Sequence, residues 1–286
     1  MTRSVPGTFF YSRTKWPQVL LFASYVAIIV AFLFPLIWVF SLSLKGVGEV
    51  YSFPPRIIPE NVTLQNYGYI FWRTRVPLYL WNSAKITVLT ILGSLLISIP
   101  FAYALSRFRV RFRGNLLFIL LMFQMLSPMI IAVPLYRYYV QIGLVNTHVG
   151  VVLIYIALQG PFATWILKGF FDSLPTSLDD AALIDGCNRF EALRRVILPN
   201  SLPGLMSATI IISVRSWSQF IVPFVLLESE RLLPISVGIL NYSETEEQIL
   251  LHLLATASIV SVLPTIGLFV VLQRFIVGAL AGATKE

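Results

Sequence analysis

Cysteine and histidine are almost absent from this chain of 286 residues. The single Cys187 excludes a disulfide within the chain, and one thiol cannot form a metal cluster. The two histidines, His148 and His252, lie near the ends of apolar runs without the spacing of metal ligands. A phosphate-binding loop of the form G-x-x-x-x-G-K followed by Ser or Thr is also missing. The sequence therefore gives no indication of an enzyme, and any use of ATP requires a separate protein.

Aspartate and glutamate are missing from six long apolar runs, although the chain has 13 acidic residues. The mean hydropathy is +0.81, and each run reaches the roughly 20 residues that a helix needs to cross a bilayer. Isolated segments satisfy their backbone amides in lipid as helices. The predicted fold class is an all-α integral membrane protein with six transmembrane helices. The predicted spans are 18–43, 82–106, 115–135, 148–170, 202–226 and 250–277.

Lysine and arginine in short loops predict the orientation, because such loops stay in the cytoplasm. The tail 1–17 is basic, and the loop between the second and third runs has four arginines from Arg107 to Arg113, whereas the loop between the fifth and sixth runs carries five glutamates and one arginine. Both termini are predicted in the cytoplasm, with a six-helix domain over 18–277 and a short tail over 278–286. This topology explains the net charge of +8, and no nucleic-acid partner is expected.

Polar side chains recur inside the third, fourth and fifth runs, where prolines favour bends that can surround a cavity. An arginine near the middle of a span should face protein or water and not lipid. A path for a solute and a structural contact between helices remain equally open as interpretations. The candidate residues of such a path are Gln124, Ser127, Gln159, Arg215, Ser218 and Gln219.

The loop 171–200 between the fourth and fifth runs is long and polar, and five of the acidic residues lie in it. Ser177 and Asp180 have the spacing of a capping box, which predicts a short helix over 177–184. Gly186 is expected to end this helix and turn the chain, and a second helix is predicted from about residue 189 to residue 197. Helix capping explains the acids but not the presence of the loop.

The same loop resembles the EAA signature of the permeases of binding-protein-dependent ABC importers. Asp180-Ala181-Ala182, three residues, Gly186, nine residues and Val196-x-Leu198-Pro199 match its spacing, with Asp180 in place of glutamate and Val196 in place of isoleucine. Stretches that begin near residues 41, 134, 161 and 273 are similar to carbohydrate-uptake permeases related to the smaller maltose permease subunit. That family often has Trp-Asn-x-Phe in the fifth span, where this chain departs from the pattern with Trp217 followed by Ser-Gln-Phe; Trp217 is the seventh candidate residue of the solute path.

The resemblance implies a transport subunit of a prokaryotic inner membrane whose loop forms a coupling helix docked on an ATPase. The residues expected at that contact are Asp179, Asp180, Ala181, Ala182, Asp185, Gly186, Leu198 and Pro199. The implied partners are two ATP-binding cassette subunits, a second permease that is expected to be a different chain, a solute-binding protein and the lipid bilayer. This chain is expected to bind no cofactor, with ATP and Mg on the partner ATPase.

A sugar or oligosaccharide is the expected cargo, and the outer segments 43–80 and 227–248 are the expected docking surfaces for the solute-binding protein. The main alternative keeps the importer and changes the cargo to a polyol, a glycerol-phosphate compound or a glycosidic osmolyte. A secondary transporter is a more distant alternative, since such proteins more often carry acidic residues within their spans.

Overall fold

The computed structural model describes residues 16–108, 112–125, 127–242 and 250–283, and within these ranges it contains helices and no strand. The α-helices are α1 Trp16–Ser43, α2 Val47–Val50, α3 Gln65–Arg73, α4 Val76–Arg107, α5 Arg113–Phe123, α6 Pro128–Gln141, α7 His148–Ser173, α8 Ser177–Ile184, α9 Arg189–Ala192, α10 Leu198–Asn200, α11 Leu202–Ser218, α12 Ile221–Leu226, α13 Ile235–Gly238 and α14 Leu251–Ala283. A π-helical turn, Leu193–Ile197, joins α9 to α10.

Four of these helices are long and apolar enough to cross a membrane, namely α1, α4, α7 and α14. They correspond to the first, second, fourth and sixth predicted spans. The structure extends the second span toward its N-terminus, from residue 82 to Val76, and the fourth toward its C-terminus, from residue 170 to Ser173. Apolar length therefore identified these four elements, although two of their bounds lie three to six residues beyond the predicted ones.

The third and fifth predicted spans are each interrupted in the structure. The run 115–135 divides into α5 and α6, and Ser127 caps the start of α6 by accepting a hydrogen bond from the amide of Met129 at 3.3 Å. The run 202–226 divides into α11 and α12 at Gln219, where the backbone becomes extended. Pro223 has no N–H to bond the carbonyl of Gln219 four residues earlier. That carbonyl instead accepts a hydrogen bond from Ser236 Oγ at 2.9 Å.

The interior of the bundle is built on the pair α4 and α7, with α11 packed against both; α14 packs on α11 and on α1. Small residues let the helices approach closely, as is usual between helices in lipid. Ser98 of α4 donates a hydrogen bond to the carbonyl of Gly160 in α7 at 3.0 Å. Gly93 lies against Ile156 and Gly204 against Phe170, so closely that a Cβ atom at either glycine would clash with that side chain.

The buried apolar residues form two clusters. The larger one includes Ile70, Tyr79 and Leu226, together with apolar residues of the stretch 227–242 that follows α12. The smaller one includes Phe171 of α7 and Ile197 of the π-helical turn, which places the loop 171–200 on the bundle itself. By contrast, the most apolar part of α1 buries none of its side chains within the chain.

Candidate functional site

The loop 171–200 folds as two short helices around a glycine turn. The first, α8, has the predicted bounds, and Gly186 adopts φ +86°, a conformation that L-residues rarely take. The predicted capping box at the start of α8 is wrong, because the N-cap residue Thr176 makes no side-chain hydrogen bond there. A complete capping box instead starts the second helix, where Asn188 and Glu191 each accept a hydrogen bond from the other's amide, at 2.9 and 3.0 Å.

The second helix is longer than predicted and bent away from the fifth span. Helical backbone continues from Arg189 through the π-helical turn to Asn200, where the sequence analysis placed the end near residue 197. The axis then turns by 81° into α11. Pro203 stands at the start of α11, where its missing N–H costs no helical hydrogen bond. The loop therefore lies across the end of the helix bundle.

Asp179 is one of the residues predicted to contact the ATPase, yet its side chain is inside the chain. Its Oδ1 accepts a hydrogen bond from the hydroxyl of Tyr103 at 2.5 Å. Its Oδ2 lies 2.7 Å from Nε of Arg107, with the two side chains only 3% and 6% exposed. That N–H is not directed at the oxygen well enough to form a hydrogen bond, so the attraction is mainly ionic. Arg107 Nη2 also donates to the carbonyl of Leu174 at 3.0 Å.

Ala182, another residue predicted to contact the ATPase, is also buried, whereas Ala181 is exposed. Residues three apart on a helix share a face, so Ala182 lies on the same buried side of α8 as Asp179, whose carboxylate meets Tyr103 and Arg107 of α4. The exposed side of α8 and of its turn carries Asp180, Ala181, Asp185 and Gly186. Leu198 is half-buried and Pro199 is exposed, one helix farther along the chain. The structure thus divides the eight predicted coupling residues between an outward and an inward face.

Two large apolar side chains on this outward surface were missed by the sequence analysis. Ile184 is 86% exposed at the end of α8, and Phe190 is 69% exposed at the start of the second helix. They flank the turn at Gly186 within a segment that is otherwise polar, and this contrast in hydropathy could have identified them. Exposed apolar groups rimmed by charges are typical of a surface that contacts another protein.

A polar cavity of about 310 Å³ lies where the third and fifth predicted spans are interrupted. Five of the seven candidate path residues line the cavity, namely Gln124, Gln159, Arg215, Ser218 and Gln219. Pro128 and Leu158 complete the lining. These residues belong to three separate predicted spans, and the fold brings them together. The two helix breaks supply Gln124 and Gln219, so the interruptions help to build the cavity.

Arg215 holds the central position among these side chains. Its guanidinium lies over the ring of Phe162, 4.8 Å from the centroid, and Nη1 donates to Gln124 Oε1 at 3.4 Å. Gln124 in turn donates through Nε2 to the carbonyl of Leu158 at 3.3 Å. Gln159 is buried, whereas Arg215 and Ser218 are exposed, and all three line the cavity. The arrangement offers hydrogen-bond donors and acceptors to a polar solute without a carboxylate in the lining.

Two of the seven candidates do not line this cavity. Ser127 caps α6, and the indole Nε1 of Trp217 donates to the carbonyl of Ser261 in α14 at 2.9 Å. Trp217 also packs against the larger apolar cluster. Its contacts agree with the structural interpretation of polar residues in the spans.

The two segments that are predicted to lie on the outer side meet around Glu230, which follows α12 in the chain. Its carboxylate accepts hydrogen bonds from Arg75 Nη1 at 2.5 Å and from the hydroxyl of Tyr79 at 2.7 Å. Asn82 of α4 donates to the carbonyls of Arg231 and Leu233. This part of the acidic segment is therefore fixed to the start of α4, while residues 243–248 of the predicted docking segment lie outside the described residues. Across the described ranges, no three His, Cys, Asp or Glu residues are grouped as metal ligands.

Comparison with known families gives one match over most of the chain. A family model for the inner membrane component of binding-protein-dependent transport systems matches residues 94–280, a range that includes both the loop 171–200 and the cavity. The sulfoquinovosyl glycerol transport system permease protein of Agrobacterium fabrum is 32% identical over 254 residues, 88% of this chain and 89% of that protein. The trehalose/maltose transport system permease protein of Thermococcus litoralis is 31% identical over 273 residues, 94% of this chain and 97% of that protein.

The fold also matches a solved structure. A crystal structure of a bacterial ABC transporter involved in the import of the acidic polysaccharide alginate contains a similar chain, with a TM-score of 0.80 and 23% identity. The match covers 93% of this chain and 99% of that one. The helical arrangement described above is therefore shared with a transporter subunit of known structure.

Proposed function

This chain belongs to the inner membrane components of binding-protein-dependent transport systems, and we propose that it is a permease subunit of an ATP-driven importer for a carbohydrate. It is a transport subunit and not an enzyme. The family match over residues 94–280 is the observation that carries this function. The carbohydrate cargo is supported by relatives named for trehalose/maltose, trehalose and diacetylchitobiose transport or uptake.

The proposed topology has six crossings with both termini in the cytoplasm. The continuous helices α1, α4, α7 and α14 supply four crossings, and the interrupted pairs α5 with α6 and α11 with α12 supply the other two. The tails 1–17 and 278–286 and the loop 171–200 then lie on the cytoplasmic side, and the domain 18–277 lies between the tails. The apolar side chains exposed along α1 suit contact with lipid.

The loop 171–200 is the proposed contact with two ATP-binding cassette subunits, which bind ATP and Mg. The outward face of α8, with Asp180, Ala181 and Ile184, would enter a groove of an ATPase subunit, because it combines a charge, a small residue and an exposed apolar group. The inward face would transmit the movement. Asp179 and Arg107 join α8 to the end of α4, so displacement of the loop would displace the second span.

The cavity at Arg215 is the proposed part of the solute path in this subunit. A second permease, expected to be a different chain, would complete the path. A solute-binding protein would deliver the cargo to the outer segments 43–80 and 227–248, which include the cluster around Glu230. The support is that the cavity is polar and lies where two spans are interrupted.

One observation favours a second cargo class. The first relative described above is named for sulfoquinovosyl glycerol, a sugar linked to a polyol. A glycosidic osmolyte, a polyol or a glycerol-phosphate compound carried by the same architecture is therefore the alternative cargo.

The coupling role is tested in proteoliposomes that contain this chain with its partner permease, ATPase subunits and binding protein. Gly186→Pro removes the positive φ that the turn requires, and Asp180→Lys reverses the charge on the outward face. Both variants are expected to abolish uptake and weaken ATPase association while leaving membrane insertion intact. Normal uptake by both would contradict the assignment.

A further inference from the structure

Arg215 places a permanent positive charge in the interior of the proposed solute path. It lies three residues before the end of α11, and its side chain lines the polar cavity. A guanidinium stays protonated at any physiological pH. Gln124, Gln159, Ser218 and Gln219 around it are uncharged, as are Pro128 and Leu158. The lining of the cavity therefore carries a net positive charge.

Two other basic side chains near span ends have carboxylate partners within this chain. Arg107 pairs with Asp179, and Lys168 pairs with Asp172 one turn along α7. Among the residues that the structure describes, no carboxylate lies within ion-pair distance of Arg215. None of the six apolar runs contains an aspartate or glutamate, so the spans of this chain supply no counter-charge.

The contacts that Arg215 does make leave its edge available. Phe162 covers one face of the guanidinium plane, and the hydrogen bond to Gln124 is long and uses one of the five N–H donors. A guanidinium stacked in this way presents two parallel N–H groups, the geometry that binds a carboxylate, sulfonate or phosphate bidentately. The amides of Gln124 and Gln159 beside it suit the hydroxyl groups of a sugar.

We propose that the cavity at Arg215 is a subsite for an anionic group, and that the transported solute is a carbohydrate bearing a carboxylate, sulfonate or phosphate. A charge in the membrane interior is costly unless it meets a counter-charge or water. A neutral sugar could be bound by amides and hydroxyls alone, whereas an anionic sugar would supply the counter-charge as it passes. Because the subsite concerns the cargo of the importer, it rests on the proposed function.

The test uses the complete importer in nanodiscs and proteoliposomes with its own binding protein. Two carbohydrates that differ in one anionic group from D-glucose, namely D-glucuronate and 6-deoxy-6-sulfo-D-glucose, serve as charged probes beside glucose itself. Calorimetry first shows which probes the binding protein accepts. Uptake of each accepted probe is then measured with wild-type protein and with Arg215→Gln, Arg215→Lys and the control Lys85→Gln. Lys85 is a second basic residue of a span, exposed and outside the cavity lining.

The expected result is that a charged probe is accepted in preference to glucose and drives ATP hydrolysis. Arg215→Gln should slow its uptake about tenfold or more, since a charge-assisted hydrogen bond is lost. Arg215→Lys should keep part of the rate, Lys85→Gln should match wild type, and basal ATP hydrolysis should be the same in all four proteins.

Two results would overturn the subsite. The first is a preference for glucose over both charged probes, or uptake of a charged probe that Arg215→Gln leaves unchanged. The second is that Arg215→Gln loses the partner permease on purification and takes up charged and neutral probes equally slowly. That result would mean that the counter-charge of Arg215 is a carboxylate of the partner permease. If no carbohydrate of either kind stimulates ATP hydrolysis, the proposed carbohydrate function fails, and not only the subsite.

Discussion

Replacement of Asp179 by asparagine should disconnect the coupling loop from the second span. The change keeps the shape of the side chain and an oxygen that can accept the hydrogen bond from Tyr103. It removes the negative charge beside Arg107, whose side chain is only 6% exposed. As long as the loop stays docked on α4, the arginine is then buried without its counter-charge.

The magnitude follows from the burial of both partners. Removing one partner of a buried ion pair typically costs about 3–5 kcal/mol, because the remaining charge is desolvated without compensation. Applied to docking of the loop on α4, this shifts the equilibrium toward the undocked loop by between about a hundredfold and a few thousandfold. The matched control is Asp172→Asn in the same loop. Its pair with Lys168 is nearly half exposed on the aspartate side, and asparagine keeps an oxygen for the hydrogen bond from the Ser106 hydroxyl, so the expected cost is below about 1 kcal/mol.

The assay is the number of solute molecules transported for each ATP hydrolysed in proteoliposomes, with thiol labelling of Cys187 as a report on the loop. Cys187 is the only cysteine of the chain, and its amide bonds the carbonyl of Ala182 in α8. Asp179→Asn should lower the transport ratio and accelerate labelling, while ATPase association persists. A merely structural defect would lower protein yield and all activities together.

A double variant separates the ion pair from either side chain alone. Arg107→Gln combined with Asp179→Asn removes the uncompensated charge, so its transport ratio should be closer to wild type than that of either single variant. Additive losses in the double variant, or a wild-type ratio in Asp179→Asn, would refute the proposed link between α8 and α4.

Two further predictions concern side chains away from the loop. Trp217→Phe removes the hydrogen bond to Ser261, so the detergent-solubilised protein should unfold at a lower temperature, with a free energy of unfolding lower by about 1 kcal/mol. The preference among solutes should stay unchanged, and an altered preference would show that Trp217 contacts the solute. Glu230→Gln weakens the contacts to Arg75 and Tyr79, so the loaded binding protein should stimulate ATP hydrolysis less while the basal rate is kept. Equal stimulation of both proteins would argue against a docking role for this cluster.

The apolar runs predicted the continuous spans because hydrophobic length is a local property of the sequence. The same property failed at the third and fifth runs. There the run is apolar on both sides of a short polar break, which lies before Pro128 in the third run and at Gln219 before Pro223 in the fifth. The prolines were visible, but which of the several prolines in apolar runs break a helix depends on packing, since Pro100 and Pro161 lie inside continuous helices.

The loop shows the same division between local and tertiary information. Helix α8 and the turn at Gly186 depend on residues close in sequence and were predicted correctly. The burial of Asp179 depends on Tyr103 and Arg107, which are more than 70 residues earlier in the chain. Arg107 was used only to predict a cytoplasmic loop, because nothing near it in the sequence indicates an ion pair with Asp179.

The sequence predicted most of the polar residues that line the cavity but not the position of the cavity in the fold. Polarity within apolar runs identified Gln124, Gln159 and Arg215 equally with Ser127, which caps α6 and does not line the cavity. Which polar side chains face a common space depends on helix rotation, and rotation is set by packing between helices.

Site-directed cross-linking of the loop to the ATPase tests the central claim most directly. Single cysteines are placed at Ile184, which is 86% exposed, and at Ala182, which is 3% exposed, in a Cys187→Ser background. A short thiol cross-linker applied to the assembled complex should join the cysteine at 184 to an ATP-binding subunit and leave the cysteine at 182 unreacted. Cross-linking of neither position, while a cysteine on another cytoplasmic surface of the chain is joined efficiently, would contradict coupling through this loop.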